Sequence, residues 1–161
     1  MKKRFVIAAV VAAVGGCALH FLYEILPFSL VAIFAPINES PWEHLKLLFW
    51  PTLLAASVLA QKSAHPKQLW SAFFLVLLIM PLFLLGMFYL LGALGLDSLP
   101  TDIALYFLTM FGGFALAYAL YHKPWVARFG GFALMLVILY GAILILFSFA
   151  APPLPIFQAP A

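Results

Sequence analysis

Apolar residues form five long stretches along the chain, separated by short segments rich in proline, glycine and charged side chains. The stretches cover residues 5–25, 41–60, 69–94, 101–121 and 125–149. Each is close to the roughly 20 residues that an α-helix needs to cross a bilayer. The pattern therefore predicts five transmembrane helices, and the proline-rich tail that follows cannot continue the last of them.

The composition excludes soluble and disordered proteins. Of the 161 residues, 67% are hydrophobic and 8% are charged, whereas soluble domains carry about 25% charged residues. The mean hydropathy is +1.17, far from the polar compositions of disordered chains. No basic run interleaved with aromatic residues indicates nucleic-acid binding. We expect a single all-α domain over residues 1–161, an integral membrane bundle whose main partner is the lipid bilayer.

Charged side chains divide between the two sides of this five-span arrangement. Seven basic residues lie on one side: Lys2, Lys3, Arg4, Lys62, Lys67, Lys123 and Arg128. The five acidic residues lie on the other: Glu24, Glu39, Glu43, Asp97 and Asp102. Because basic loops stay in the cytoplasm, the N-terminus is predicted to be cytoplasmic and the C-terminus outside, in the cytoplasmic (inner) membrane. Lys46 is the one basic residue on the outer side.

The first stretch contains the only cysteine, Cys17, which excludes an internal disulfide. Three basic residues, an apolar run and the segment Val-Gly-Gly-Cys at residues 14–17 resemble a lipoprotein signal that ends in a lipobox. The apolar stretch continues past Cys17 to residue 25, however, and a segment of this length favours a retained first helix.

Glycine pairs occur in three of the stretches, at residues 15–16, 112–113 and 130–131. Small residues let membrane helices approach one another closely. We expect these faces to pack inside the bundle, and they would also suit a partner membrane protein or a second copy of the chain.

Polar and ionisable residues concentrate at the outer ends of the first two spans. The candidate site comprises His20, Glu24, Asn38, Glu39, Glu43, His44 and Lys46. Such groups are costly at membrane depth unless they are paired or functional. His20 and Glu24 are four residues apart and share a helix face. We expect the seven residues to converge on one outward-facing pocket that binds a metal or a small molecule.

Part of this segment has a structural explanation. Ser40 suits the N-cap of the second span, Pro41 suits its first helical position, and Glu43 suits the third position of a capping box. Lys46 lies about 9 Å inside the helix and can lean back toward Glu43. Both a structural Glu43–Lys46 pair and a contact of Lys46 with a substrate fit this spacing. Capping leaves the other polar residues unexplained.

Three classes of function are compatible with these features. His20, Glu39 and His44 are ligand types that zinc and similar divalent metals accept, and a metal-activated water would suit a membrane-interface hydrolase. A non-catalytic accessory or structural subunit is the alternative. A transporter or channel component, working as an oligomer, would use helix breaks at Pro51 and Pro81. Haem is disfavoured because the two inner histidines occupy ordinary solvated positions.

The segment Asn-Glu-Ser-Pro-Trp-Glu-His-Leu-Lys at residues 38–46 resembles the signature of an uncharacterised family of small bacterial multi-pass membrane proteins. The segment His-Phe-Leu-Tyr-Glu at residues 20–24 and the proline-rich tail at residues 152–157 match the same family. The resemblance covers most of the chain. It implies a multi-pass membrane fold and groups these polar residues, and it implies no particular reaction.

Overall fold

The computed structural model describes residues 1–159, and over that range it contains helices and no strand. The helices are α1 (Lys2–Ile25), α2 (Ser29–Ala32), α3 (Pro41–Gln61), α4 (Pro66–Ala93), α5 (Leu99–Tyr121) and α6 (Gly130–Phe149). Two 3₁₀ turns cover Pro124–Phe129 and Pro155–Phe157. All five predicted helices are present. The last one begins as a 3₁₀ turn and becomes α-helical only at Gly130.

Contacts between helix ends establish that α1 and α3 are antiparallel. Near the start of α1, an Arg4 Nη atom donates a hydrogen bond of 3.1 Å to the carbonyl of Lys62, just after α3. Near the end of α1, His20 lies beside His44 at the start of α3, with 3.2 Å between their Nε2 atoms. The two helices therefore run side by side over nearly their whole length.

The other long helices continue this alternation. Phe5 of α1 packs on Phe73 in the first part of α4 and on Tyr118 near the end of α5. Gly130 at the start of α6 lies against Ser71 of α4. It follows that α1, α4 and α6 run in one direction, whereas α3 and α5 run in the other.

The charged residues separate between the two ends of this bundle. The inner end consists of residues 1–5, 61–68 and 121–129, and it carries every basic residue except Lys46. The outer end consists of residues 24–44, 94–102 and 149–159, and it carries all five acidic residues. The fold therefore gathers basic residues at one end and acidic residues at the other. The predicted orientation depends on this separation.

Four helical segments are long and apolar enough to cross a membrane. They are Lys2–Ile25, Pro66–Ala93, Leu99–Tyr121 and Pro124–Phe149. The fifth predicted span, α3, is not among them. It packs against α1, α4 and α6, so Glu43 and Lys46 near its start are buried in protein rather than exposed to lipid. Its 21 residues give a length of about 31 Å, comparable with a hydrocarbon core of about 30 Å.

Pro51 and Pro81 do not break their helices, contrary to the expectation for a transporter, because α3 and α4 continue through them. A proline lacks the N–H that would bond to the carbonyl four residues earlier. Pro51 thereby frees the carbonyl of Leu47. This oxygen would lie 2.7 Å from a Cβ added at Gly16 of α1. A larger residue at position 16 would therefore force α1 and α3 apart.

One glycine of each pair faces the interior of the bundle. The interior glycines, which contact neighbouring helices, are Gly16, Gly113 and Gly130. The outward glycines, which have open space where a Cβ would stand, are Gly15, Gly112 and Gly131. Close helix packing therefore explains the interior glycine of each pair. The outward glycine of each pair leaves a small residue on the bundle surface.

The proline-rich tail folds back over the outer end. Phe157 lies in its 3₁₀ turn and packs against Trp42 and Phe147, with ring centroids 5.0 and 5.2 Å away. Pro160, the last proline of the predicted tail, lies outside the described residues. The tail therefore covers the first turn of α3, next to the polar segment.

We expect five membrane spans, because α3 lies along the whole of α1 and would have to cross wherever α1 crosses. Reporter fusions at residues 64 and 125 should be cytoplasmic, and fusions at residue 97 and at the C-terminus should be outside. Paired alkaline phosphatase and green fluorescent protein reporters distinguish the two compartments. A cytoplasmic C-terminus would contradict this topology and indicate four spans.

Candidate metal centre

Side chains cap the start of α3, with one change from the predicted pattern. Ser40 Oγ accepts a hydrogen bond of 3.3 Å from the backbone N–H of Glu43, and Pro41 occupies the first helical position. The backbone N–H of Ser40 donates to Asn38 Oδ1 at 2.9 Å, whereas in a complete capping box it would donate to Glu43. The predicted box is only half formed. Asn38 takes part in the cap, and the Glu43 carboxylate has other partners.

The Glu43 carboxylate forms an ion pair with Lys46 in the protein interior. The distance from Nζ to Oε2 is 2.6 Å, and the side chains of Lys46 and Glu43 are 0% and 3% exposed. Glu43 Oε2 also accepts a hydrogen bond of 2.9 Å from the backbone N–H of Ile37. Its Oε1 accepts one of 2.8 Å from Ser148 Oγ near the end of α6. Both carboxylate oxygens are therefore satisfied.

The Lys46 ammonium group has an acceptor for each of its three protons. Besides Glu43, it donates to the carbonyls of Ala32 and Ala35 at 2.6 and 3.2 Å. Both carbonyls lie in the connection between α1 and α3. A buried charge is tolerated when it is paired and fully hydrogen-bonded. These contacts favour the structural interpretation of Lys46, which fastens the α1–α3 connection to α3.

The fastened connection places Glu39 next to two histidines. Glu39 Oε2 lies 3.6 Å from His20 Nε2 and 3.4 Å from His44 Nε2. The two Nε2 atoms are 3.2 Å apart. The carboxylate distances exceed the 2.7–2.9 Å or so of a charge-assisted hydrogen bond. The three atoms thus converge as a nearly equilateral triangle rather than as separate pairs.

This triangle has the dimensions of one face of a zinc coordination sphere. Zinc bonds to histidine nitrogen and carboxylate oxygen are about 2.0–2.2 Å long, which places neighbouring ligand atoms of a tetrahedron about 3.3–3.6 Å apart. The observed edges are 3.2, 3.4 and 3.6 Å. One ligand atom from each of His20, Glu39 and His44 could therefore bind a single ion without a change in backbone position.

The orientation of His44 also suits a metal ligand. Its Nδ1 lies 2.8 Å from the carbonyl oxygen of Ser40, so this nitrogen carries the proton and Nε2 presents a lone pair. Metal-bound histidines commonly hold their second nitrogen in this way. For His20, the Nδ1 atom is buried and has no hydrogen-bond partner within the described chain. The backbone of the N-cap residue thus orients one of the two ligands.

The triad borders a cavity of about 280 Å³ between α1, α3, α4 and α5. Its wall is apolar for the most part, with Leu85, Phe88 and Ile103 among the lining residues. Two polar residues that the candidate site did not include, Asp102 and Tyr106, also line it. In the sequence, Asp102 is one of the five acidic residues of the outer side. That assignment was the only sequence signal that could have predicted a place beside the triad.

A comparison with known protein families gives a match over the whole chain. A family model described as "Family of unknown function (DUF6512)" matches residues 1–161. The chain belongs to this family. No curated protein and no solved structure matches the chain. The family match therefore confirms membership of an uncharacterised family, and it assigns a role to no residue.

The seven predicted site residues fall into separate groups in this family member. His20, Glu39 and His44 form the metal-like triad, and Glu43 and Lys46 form the buried ion pair. The other two residues belong to neither group: Asn38 contributes to the cap of α3, and Glu24 is exposed. Capping residues and ion-pair residues thus hold the connection that carries Glu39, and of the seven predicted residues the three of the triad line the cavity.

Proposed function

We propose that this protein binds one divalent metal ion of the zinc class at the outer face of the cytoplasmic (inner) membrane. The ligands are His20, Glu39 and His44. The triangle of ligand atoms, with edges of 3.2–3.6 Å, carries this proposal. Two histidines and one carboxylate form a ligand set that zinc enzymes use, and the three residues come from α1, the α1–α3 connection and α3.

The triad would supply three ligands to a tetrahedral ion, and because all three residues line the cavity, a water could provide the fourth. Structural zinc sites usually have four protein ligands, whereas catalytic sites have three ligands and a water. A water bound to zinc loses a proton near neutral pH and becomes a nucleophile. The arrangement therefore favours hydrolysis of a bond in a molecule that enters from the membrane interface.

An accessory subunit is the second candidate, and the outward glycines favour it. Gly15, Gly112 and Gly131 leave open space on the bundle surface, where a helix of a partner protein or of a second copy could approach closely. Such association is compatible with a metal site at the outer end, so the metal experiment does not depend on it.

Metal binding is tested on protein purified in dodecyl maltoside, stripped with EDTA and titrated with Zn²⁺ or Co²⁺. We expect about one ion per chain, and for Co²⁺ the intense visible absorption of a tetrahedral site. His20→Ala, His44→Ala and Glu39→Gln should each weaken binding by about 100-fold or more, since loss of an outer-shell partner alone costs 10–100-fold.

Matched controls separate the triad from nonspecific binding. Glu24→Gln removes another outer carboxylate, and His65→Ala removes an exposed histidine of the inner end. Both variants should bind zinc like the unaltered protein. Equal zinc content in the His44→Ala variant, or loss of zinc in the Glu24→Gln variant, would contradict the proposed ligand set.

A further inference from the structure

The cavity beside the triad joins a polar end to an apolar rim. The Glu39 side chain is 59% exposed at the polar end. Leu99 and Ile103, which line the cavity from α5, are 72% and 49% exposed. Leu99 belongs to the outer end with Glu39, whereas Ile103 lies one helical turn deeper, so in a bilayer the apolar rim would run from the headgroup region toward hydrocarbon. A molecule with one polar and one apolar end fits this arrangement.

The volume limits the size of the apolar end. A cavity of about 280 Å³ holds about nine groups of the size of a water molecule, at about 30 Å³ each. This is near the lower limit for small-molecule pockets, about 300 Å³. An acyl chain of about eight carbons would fill it, and a longer chain would extend past the rim into lipid.

The charges around the cavity indicate what kind of polar group it accepts. None of the described residues that line the cavity is lysine or arginine, whereas Glu39 and Asp102 are acidic. Lys46, the one lysine or arginine that does not belong to the inner end, is buried and paired with Glu43. A divalent ion with these two carboxylates is formally neutral. The site therefore lacks the cationic side chains that usually hold phosphate, and a neutral carboxylic ester suits it better.

Asp102 is the second carboxylate of the cavity, besides Glu39. It lines the same cavity as the triad, but it does not belong to the group of ligand atoms that lie within 4.8 Å of one another. It is therefore not one of the proposed ligands, although it shares their cavity. A carboxylate in such a position can act as a general base and then as a general acid.

We infer, on the basis of the proposed metal site, that the cavity binds a neutral amphiphile with an acyl ester of about eight carbons or more and that Asp102 is a catalytic residue for its hydrolysis. Asp102 accepts a proton from the metal-bound water, and the resulting hydroxide attacks the ester carbonyl. When the tetrahedral intermediate collapses, the carbon–oxygen bond to the alcohol breaks. Asp102 returns the proton to the leaving alkoxide, so that one ester and one water yield one acid and one alcohol.

The zinc-loaded protein in lipid nanodiscs tests this inference with p-nitrophenyl esters. We expect kcat/KM to be at least about tenfold higher for the octanoate, which fills the cavity, than for the acetate. It should change little from the octanoate to the palmitate, whose additional carbons would lie in lipid. Asp102→Asn should lower kcat for the octanoate by about 10²–10⁴-fold and leave zinc affinity within about threefold, because Asp102 is not a ligand. Glu24→Gln, a control at the same end of the bundle whose side chain is exposed and does not line the cavity, should leave both unchanged.

Distinct outcomes separate this inference from the metal proposal. Zinc binding without ester hydrolysis, or with equal rates for Asp102→Asn and the unaltered protein, would overturn the inference and leave the metal site standing. Faster hydrolysis of bis(p-nitrophenyl) phosphate than of the octanoate would overturn the substrate class. A chain that binds no zinc would overturn both proposals. Because Glu24→Gln controls for folding at this end, loss of activity in both Asp102→Asn and Glu24→Gln would also contradict a specific role for Asp102.

Discussion

Replacing Lys46 with methionine should lower the free energy of unfolding by about 3–5 kcal/mol, the range observed when one partner of a buried ion pair is removed. The side chain is 0% exposed, so no water can take the place of its ammonium group. The substitution would leave the Glu43 carboxylate without its cation. It would also leave the carbonyls of Ala32 and Ala35 without their donor.

Unfolding in mixed micelles of dodecyl maltoside and sodium dodecyl sulfate measures this loss. Lys62→Met, at an exposed position of the inner end, is the matched control and should change the free energy by less than about 0.5 kcal/mol. The double variant Lys46→Met/Glu43→Leu should recover part of the loss, because it removes the unpaired charge. Unchanged stability in Lys46→Met together with lost activity would instead show that Lys46 contacts a substrate.

The helices were predictable because their signals are local. An apolar run of about 20 residues has few alternatives to a membrane helix, and Ser40 and Pro41 mark the start of α3 by their own chemistry. The division of charge was predictable for the same reason, since it depends only on the number of spans between loops. The 3₁₀ turn before α6 was not predicted. The apolar run continues through it, and hydrophobicity alone does not show which hydrogen-bond pattern the chain adopts after Pro124.

The grouping of the polar residues was not predictable, because it depends on how the α1–α3 connection folds. Glu39 and Glu43 are four residues apart, yet one faces the cavity and the other faces the interior. The two glutamates differ because Asn38 Oδ1 accepts the hydrogen bond from the Ser40 N–H. In a capping box Glu43 would accept that bond. Glu43 is then available to Lys46. No local pattern in the sequence distinguishes these two arrangements.

Asp102 illustrates a second limit. It lies more than fifty residues from the triad along the chain, and it lines the cavity only because α5 packs against α1. The contact of Tyr106 with the carbonyl of Ala13, at 2.9 Å, fixes this packing. The pattern of apolar stretches predicts that each helix crosses the bilayer, but it does not predict which helices are neighbours.

The buried ion pair and the proposed metal site are physically connected. Lys46 and Glu43 fix the segment from Ala32 to Ile37, and Glu39 follows two residues later. The connection is therefore ordered by interior contacts before any ion binds. A site with ordered ligands loses less conformational entropy on binding than one that must assemble its ligands, so the stability of this pair supports metal affinity.

Zinc at a free concentration about 1,000 times its dissociation constant should raise the free energy of unfolding by about 4.1 kcal/mol. This gain is expected because the ligands come from α1, the connection and α3, and unfolding separates them. If binding is about 100-fold weaker, the His44→Ala variant should gain only about 1.4 kcal/mol at the same zinc concentration, and the Glu24→Gln control should show the whole gain. The measurement is the unfolding titration described for Lys46, made with EDTA and with buffered Zn²⁺.

The size of the zinc effect in Lys46→Met then tests the connection between the two groups. Because the ion pair orders the segment before Glu39, this variant should bind zinc more weakly and gain less stability than the unaltered protein at the same zinc concentration. A tenfold weaker affinity would reduce the gain by about 1.4 kcal/mol. An undiminished gain would show that Glu39 reaches its position without the pair. An equal gain in His44→Ala would place the ion elsewhere on the chain and contradict the triad.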